Sequence, residues 1–375
     1  MIKINFPDTK EFKDLLLKFK EKAIQTIGND NAKNVEQAFY NFLNEKYSFK
    51  NKTNRNKIKL YTKQISSYKN EVNNLFLIED CSLLVNNDLN DYIKVLKKMF
   101  DENSISNKWS YFRTKVNDIL FEIFHLIDIR VCPYCNRSFV PVIKYDEGKT
   151  LSPEMDHFYP KKEYPYLAFS FYNLVPICST CNVRFKSSRV LNILHPYKEG
   201  FENNVRFKLE PKKQESIIDL LSGSYIDKDK FNIRLIKKKI LPSDLDKQYI
   251  TRCINSNKYL HISETYDKMH KIDAIELVRK ISLFRPSYSR SFISIVNPKL
   301  SKLIGIKEDS SKQNYESNNS EILNNLNSNT IKLLFGNWLD ESNDLKEPLS
   351  KFKRDIYQQF TTLQYSDYGP LENSN

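Results

Sequence analysis

Cys132-Pro133-Tyr134-Cys135 opens, and Cys178-Ser179-Thr180-Cys181-Asn182 closes, a stretch that carries Met155-Asp156-His157 near its middle and Asn173 near its end. The two C-x2-C pairs stand 42 residues apart. Each offers two sulfurs from one tight turn, and together they supply the four thiolates of a tetrahedral structural Zn²⁺ site. A redox dithiol needs only one such pair. So long an insert argues against a small zinc ribbon and for a domain built between its knuckles. Inside it, Asp156 and His157 place a hard oxygen donor beside an imidazole that titrates near neutrality, a pairing suited to metal-assisted hydrolysis.

Working outward, residues 138–145 are rich in strand formers and Asp146-Glu147-Gly148-Lys149 reads as a turn. A second strand is expected over 154–158, and a helix over 176–186 at the second knuckle. The predicted order is strand, turn, strand, loop, helix. On a regular strand Asp156 and His157 face opposite ways. Both can serve one site only if the strand ends or twists there, and Pro160 fits such an ending.

The run Met155-Asp156-His157-Phe158-Tyr159-Pro160-Lys161, then Asn173-Leu174-Val175-Pro176-Ile177-Cys178, then Cys181-Asn182, resembles the HNH endonuclease family of ββα-metal nucleases. The likeness covers residues 130–200. It implies that Asp156 and Asn182 bind a catalytic Mg²⁺ or Mn²⁺, that His157 is the general base and that Asn173 orients the loop carrying it. Cys132, Cys135, Cys178 and Cys181 would hold structural Zn²⁺. The amide oxygen of Asn182 suits a hard cation better than the family's more usual imidazole. Phosphodiester hydrolysis needs an activated water and positive charge at the departing oxygen, which a base and a metal would supply. One departure stands out. The family usually places a lysine three residues after the Asn182 position, and here that position is Phe185, with Arg184 before it and Lys186 after it. Either cation is expected to reach phosphate. The run with Tyr164-Pro165-Tyr166-Leu167 looks most like HNH proteins of bacterial anti-phage systems, the nuclease subunit of Septu above all, which works with an ATPase partner. The alternative is a non-catalytic zinc module that binds nucleic acid or a partner protein.

The fold class expected is therefore α+β, a zinc-stabilised ββα-metal (HNH) module embedded in mainly helical flanking regions. Residues 1–129 form a helical N-terminal region, 130–200 the module and 201–308 a mainly helical region. Residues 309–328, dominated by Ser and Asn, read as a flexible linker, and 329–375 as a C-terminal helical segment with a frayed tail. Phe12, Leu15, Leu16, Phe19 and Ala23 recur at helical spacing behind Asp8 and Thr9. Further helices are predicted over 35–45, 90–99, 109–129, 216–221, 263–284 and 349–360, and a basic strand or helix over 231–240.

A formal charge of +13 on 375 residues favours a polyanionic partner, nucleic acid, with DNA preferred to RNA. Abundant Lys, Asn, Ile and Tyr are also what an AT-rich genome produces. No apolar run approaches the roughly 18–20 residues of a membrane span, and the N-terminus lacks the pattern of a signal peptide. The expectation is a cytoplasmic protein without membrane association, in which C-x2-C pairs bind metal and do not form disulfides. Cys81 and Cys253 read as ordinary small apolar residues.

Other features carry less. Gly148-Lys149-Thr150 imitates the end of a phosphate loop, but the earlier glycine is missing, so a hairpin turn is expected and ATP must be bound by another chain. Bases and aromatics interleave over 46–70, either a nucleic-acid face or a solvated loop. Lys237-Lys238-Lys239 and residues 279–290 are weaker versions. Glu154 shares the face of Asp156, as a solvated strand residue or an extra ligand. His195-Pro196-Tyr197 suggests packing or capping, His125 a structural role, and His261 and His270 lack ligand-like spacing.

Overall fold

The computed structural model describes residues 1–28, parts of 75–100, 105–146, 148–222, 227–243, 248–284, 335–361 and 367–371. The expectations for 35–45, 46–70 and 309–328 lie outside the described residues, as do most of 90–99 and the end of 279–290.

Helix α1, Lys10–Ile27, starts where the Thr9 hydroxyl accepts the Phe12 N–H at 3.2 Å, satisfying one of the free amides of the first turn. It buries Phe12, Leu15, Leu16, Phe19 and Ala23, the face its periodicity predicts. Helix α2, Trp109–Ile127, packs against it and ends at Asp128 in the left-handed region (φ 56°). Between the helices Phe19 meets Phe112 at 5.3 Å, and the same two rings meet Phe171 and Phe169 of the module at 5.6 and 5.0 Å. The helices therefore form one continuous apolar core with the cysteine-bracketed segment.

Inside the bracket the strand pairing differs from expectation. Strand β1, Val142–Tyr145, forms a hairpin with β2, Gly148–Leu151, so Gly148-Lys149-Thr150 is hairpin backbone as predicted. The predicted second strand, β3 at Glu154–His157, does not pair with β1. Its antiparallel partner is β4, Leu174–Ile177, in the register Asp156 opposite Val175 and His157 opposite Leu174. The helix expected over 176–186 starts later: Leu174–Ile177 is a fully buried strand, and the helical segment begins only at Thr180. That segment, Thr180–Lys186, is π-helical, with the Ser187 N–H reaching the Asn182 carbonyl at 2.7 Å. The order β3, loop, β4, helix is thus present with different strands from those expected.

The described residues after 201 combine helices with a sheet that the sequence reading does not anticipate. Strands β5, Val205–Pro211, and β6, Phe231–Lys238, pair over their length. The C-terminal segment is not a frayed tail, because β7, Tyr368–Pro370, adds to β6 and makes a three-stranded sheet. Helix α3 covers Glu215–Ser222 and α4 Tyr249–Tyr259. The predicted single helix over 263–284 is two, α5 at Ile262–Met269 and α6 at Lys271–Phe284, separated at His270. Helix α7, Ser350–Gln359, lies on β5, where Asp355 accepts from the Phe207 amide at 3.0 Å and pairs with Arg206 and Lys351 at 3.1 and 3.0 Å. No helix among the described residues is long and apolar enough to cross a membrane.

Candidate active site and metal centre

The first knuckle is a tight turn closed by the Asn136 N–H on the Cys132 carbonyl at 2.8 Å, with Asn136 itself left-handed (φ 53°). Asn136 is buried, and its side-chain amide donates to the Asp344 carbonyl at 2.6 Å while its own carbonyl accepts the Leu349 N–H at 2.7 Å. The Tyr266 hydroxyl donates to the Cys135 carbonyl at 2.8 Å. Residues far along the chain thus brace this turn. The second knuckle joins β4 to the π-helix.

All four cysteines are buried, and their sulfurs lie within 4.8 Å of one another. Zinc–sulfur bonds of about 2.3 Å at tetrahedral angles put sulfurs roughly 3.8 Å apart, and Cys135 and Cys178 Sγ are 3.9 Å apart. The set fits a zinc ion. Hydrogen bonding among the thiols, that with Cys132 foremost, brings Cys178 down to about 7, while burial pushes Cys132 well up. Such crowding favours a cation that replaces the shared protons.

His157 closes β3. Its Nε2 is 3.1 Å from the Ala168 carbonyl, which can only accept, so the ring proton sits on Nε2 and the lone pair on Nδ1. Trp109, at the start of α2, meets the imidazole edge-on at 4.4 Å. Burial brings the imidazole down to about 4, with Ala168 opposing and the Lys161 and Lys186 charges reinforcing. His157 is neutral at pH 7, the state a general base needs.

Asn173 is fully buried at the loop's return. Its side-chain oxygen accepts the Tyr159 N–H at 2.8 Å, and its NH₂ donates to the Tyr159 and Leu167 carbonyls, both at 3.0 Å. The backbone adds Phe158 N–H to the Asn173 carbonyl at 2.9 Å. The chain leaving His157 is clamped on both sides.

Asp156 faces the other way from His157, as strand alternation requires. It is 3% exposed, and both its oxygens are engaged. Oδ2 accepts the Tyr134 hydroxyl at 2.7 Å, and Oδ1 pairs with Lys186 Nζ at 2.9 Å. Lys186 also donates to the His157 carbonyl at 2.9 Å. Burial raises the Asp156 carboxyl above its ordinary range, with the Lys186 and Tyr134 contacts working against that. Asn182, one π-turn before Lys186, donates to Glu154 Oε2 at 2.6 Å, so Glu154 is a hydrogen-bond partner and not a free solvated residue. So arranged, both Asp156 oxygens already have partners, and a Mg²⁺ or Mn²⁺ ion there would have to displace one of them. Among the described residues the four cysteines are the only convergent set of three or more His, Cys, Asp or Glu.

Sequence reasoning missed Tyr134, Trp109 and the Ala168 carbonyl. Tyr134 lies within the first C-x2-C pair, and its place there was the one available signal. Lys186, expected to reach phosphate, is 1% exposed and turned inward, whereas Arg184 is exposed. His195 is a packing residue, as expected: it lies on Phe158 with ring centroids 4.1 Å apart and its Nδ1 accepts the Tyr197 N–H at 3.3 Å. His125 is exposed against Phe121. No family model, curated protein or solved structure matches this chain.

Proposed function

We propose that the chain is a zinc-stabilised endonuclease of the HNH kind that hydrolyses nucleic acid phosphodiester bonds, DNA in preference to RNA. The observation that carries this reading is the clamp of Asn173 on Tyr159, which fixes the loop behind a neutral, tautomer-defined His157. A water placed against Nδ1 would lose its proton to His157 as it attacks phosphorus. Exposed Lys161 and Lys162 follow this loop, and Arg184 lies on the outer side of the π-helix, giving the approach positive charge. The four cysteines would hold Zn²⁺ and keep both knuckles in register. The Mg²⁺ or Mn²⁺ that the resemblance implies would have to displace Lys186 or Tyr134 from Asp156. Since Gly148-Lys149-Thr150 is hairpin, any ATP dependence would come from an ATPase partner, as in the anti-phage systems that the stretch resembles, with this chain as the nuclease effector.

The test incubates the purified, zinc-loaded chain with supercoiled plasmid, with linear DNA and with RNA, with and without Mg²⁺ or Mn²⁺. Cleavage is expected to fall by about 10²-fold or more in His157→Ala, the contribution typical of a positioned base. Binding without cleavage, unchanged by the substitution, would establish the non-catalytic zinc module instead.

A further inference from the structure

The Asp156 carboxylate already has a cation. We infer that Lys186 is the cation this fold stations at Asp156, and that Asp156 is a positioning residue which a divalent metal can reach only if Lys186 leaves. The inference rests on the nuclease reading only for the identity of the metal displaced.

Three observations carry it. First, the contact is built into the helix. A π-bulge is an α-helix with one residue inserted, so the side chains after it are displaced by one position. Lys186 stands one place later than the lysine of the resembled pattern, and the π-helix Thr180–Lys186 absorbs that offset and turns it inward. Second, the ammonium is fully committed. It is 1% exposed against a carboxylate that is 3% exposed, it donates to Asp156 Oδ1 and to the His157 carbonyl, each at 2.9 Å, and the Phe158 ring lies 6.0 Å away. A buried ammonium persists where its protons find such partners. Third, the second carboxylate oxygen is taken as well: Tyr134 donates to Asp156 Oδ2, while the Asn182 NH₂ is turned to Glu154. A divalent ion on the same carboxylate would lie a few ångströms from the ammonium, and like charges repel strongly away from bulk water. Ammonium and metal therefore exclude each other.

Asp156 then links three pieces, the first knuckle through Tyr134, strand β3 through its own backbone, and the π-helix through Lys186. Lys186 in turn holds the backbone of the base.

The test is a Mn²⁺ titration of the zinc-loaded full chain, following the electron paramagnetic resonance of free Mn²⁺, on the wild type, Asp156→Asn, Lys186→Met and the double variant. The wild type and Asp156→Asn should take up Mn²⁺ alike. Lys186→Met should gain a site at least tenfold tighter, and the double variant should lack it. A wild-type site lost in Asp156→Asn would overturn the inference. So would a zinc-retaining Lys186→Met that gains no Asp156-dependent site. If Lys186→Met does not fold, the wild type against Asp156→Asn decides, since Asn keeps an oxygen for Tyr134 or Lys186. The readout is metal uptake, so an absence of cleavage would sink the nuclease reading and leave this inference standing, whereas Asp156-dependent uptake by the wild type would overturn this inference and leave the nuclease reading standing.

Discussion

Replacing Asn173 by alanine removes three hydrogen bonds from a side chain with no solvent exposure. Each is worth about 1 kcal/mol net, and a buried group left unpaired costs about 1–3 kcal/mol. Three bonds give a floor of about 3 kcal/mol, rising towards 5 kcal/mol if no water replaces the amide. For a cooperative unit of 150–250 residues that is a melting loss of roughly 6–12 °C at the floor. Asn173→Asp is the sharper variant. It keeps the acceptor for the Tyr159 N–H but sets an oxygen against the Tyr159 and Leu167 carbonyls, where the NH₂ stood, so it should lose more than alanine does. The assay is thermal unfolding at fixed zinc, with zinc content measured on the same samples. Zinc stoichiometry should hold, because the clamp lies in the loop and not at the sulfurs, while plasmid cleavage should fall with loop order. Melting of Asn173→Ala within about 2 °C of wild type would refute the clamp, and a fully stable Asn173→Asp would show that the amide points the other way.

Cys178→Ser should lower both zinc content and melting temperature, because binding free energy at a structural zinc is folding free energy. His157→Ala should leave zinc content intact and melting nearly so, and equal losses in the two variants would contradict this division between structure and chemistry. Lowering the pH should act on His157 with a defined sign. The unfolded imidazole takes its proton near 6.5 and the folded one only near 4, so between those values the unfolded chain binds more protons and stability falls as pH drops. Lys161 and Lys186 face the ring and favour its neutral form, and the raised Asp156 carboxyl works in the opposite sense. The quantity to compare is therefore the difference between wild type and His157→Gln across that window. Parallel stability curves for the two would refute the assignment.

The parts of the fold that could be read from the sequence are those where one local rule suffices. Helix α1 announces its buried face through Phe12, Leu15, Leu16, Phe19 and Ala23, and its start through Thr9. The cysteine pairs identify themselves by spacing. Strand partners do not, because nothing within Glu154–His157 names its partner, and only tertiary contacts decide that it pairs with Leu174–Ile177. Pro176 within Leu174–Ile177 argued against a central strand, and this strand has one named partner and needs no full ladder on both sides. The tail was misread for a related reason. Tyr368–Pro370 is too short to carry a periodic signal, and its partner β6 lies far back in the chain.

The site was legible in its residue types and not in its directions. Asp156, His157, Asn173 and Asn182 lie around one hairpin and the helix that follows it, yet sequence spacing cannot say whether a helix is α or π. That single ambiguity decides the fate of Lys186. In an α-helical reading the cation after Asn182 is free to face phosphate. In the π-helix it turns onto Asp156, and the positive charge nearest the base becomes part of the core. Tyr134 completes the arrangement from within the first zinc knuckle. A hydroxyl between two cysteines of the buried cluster, the carboxylate of Asp156 and an ammonium on the helix after the second knuckle form one chain of contacts. If the four cysteines hold zinc, its removal should loosen Tyr134 and expose Asp156, an outcome that Asp156-dependent Mn²⁺ uptake by the zinc-free chain would register.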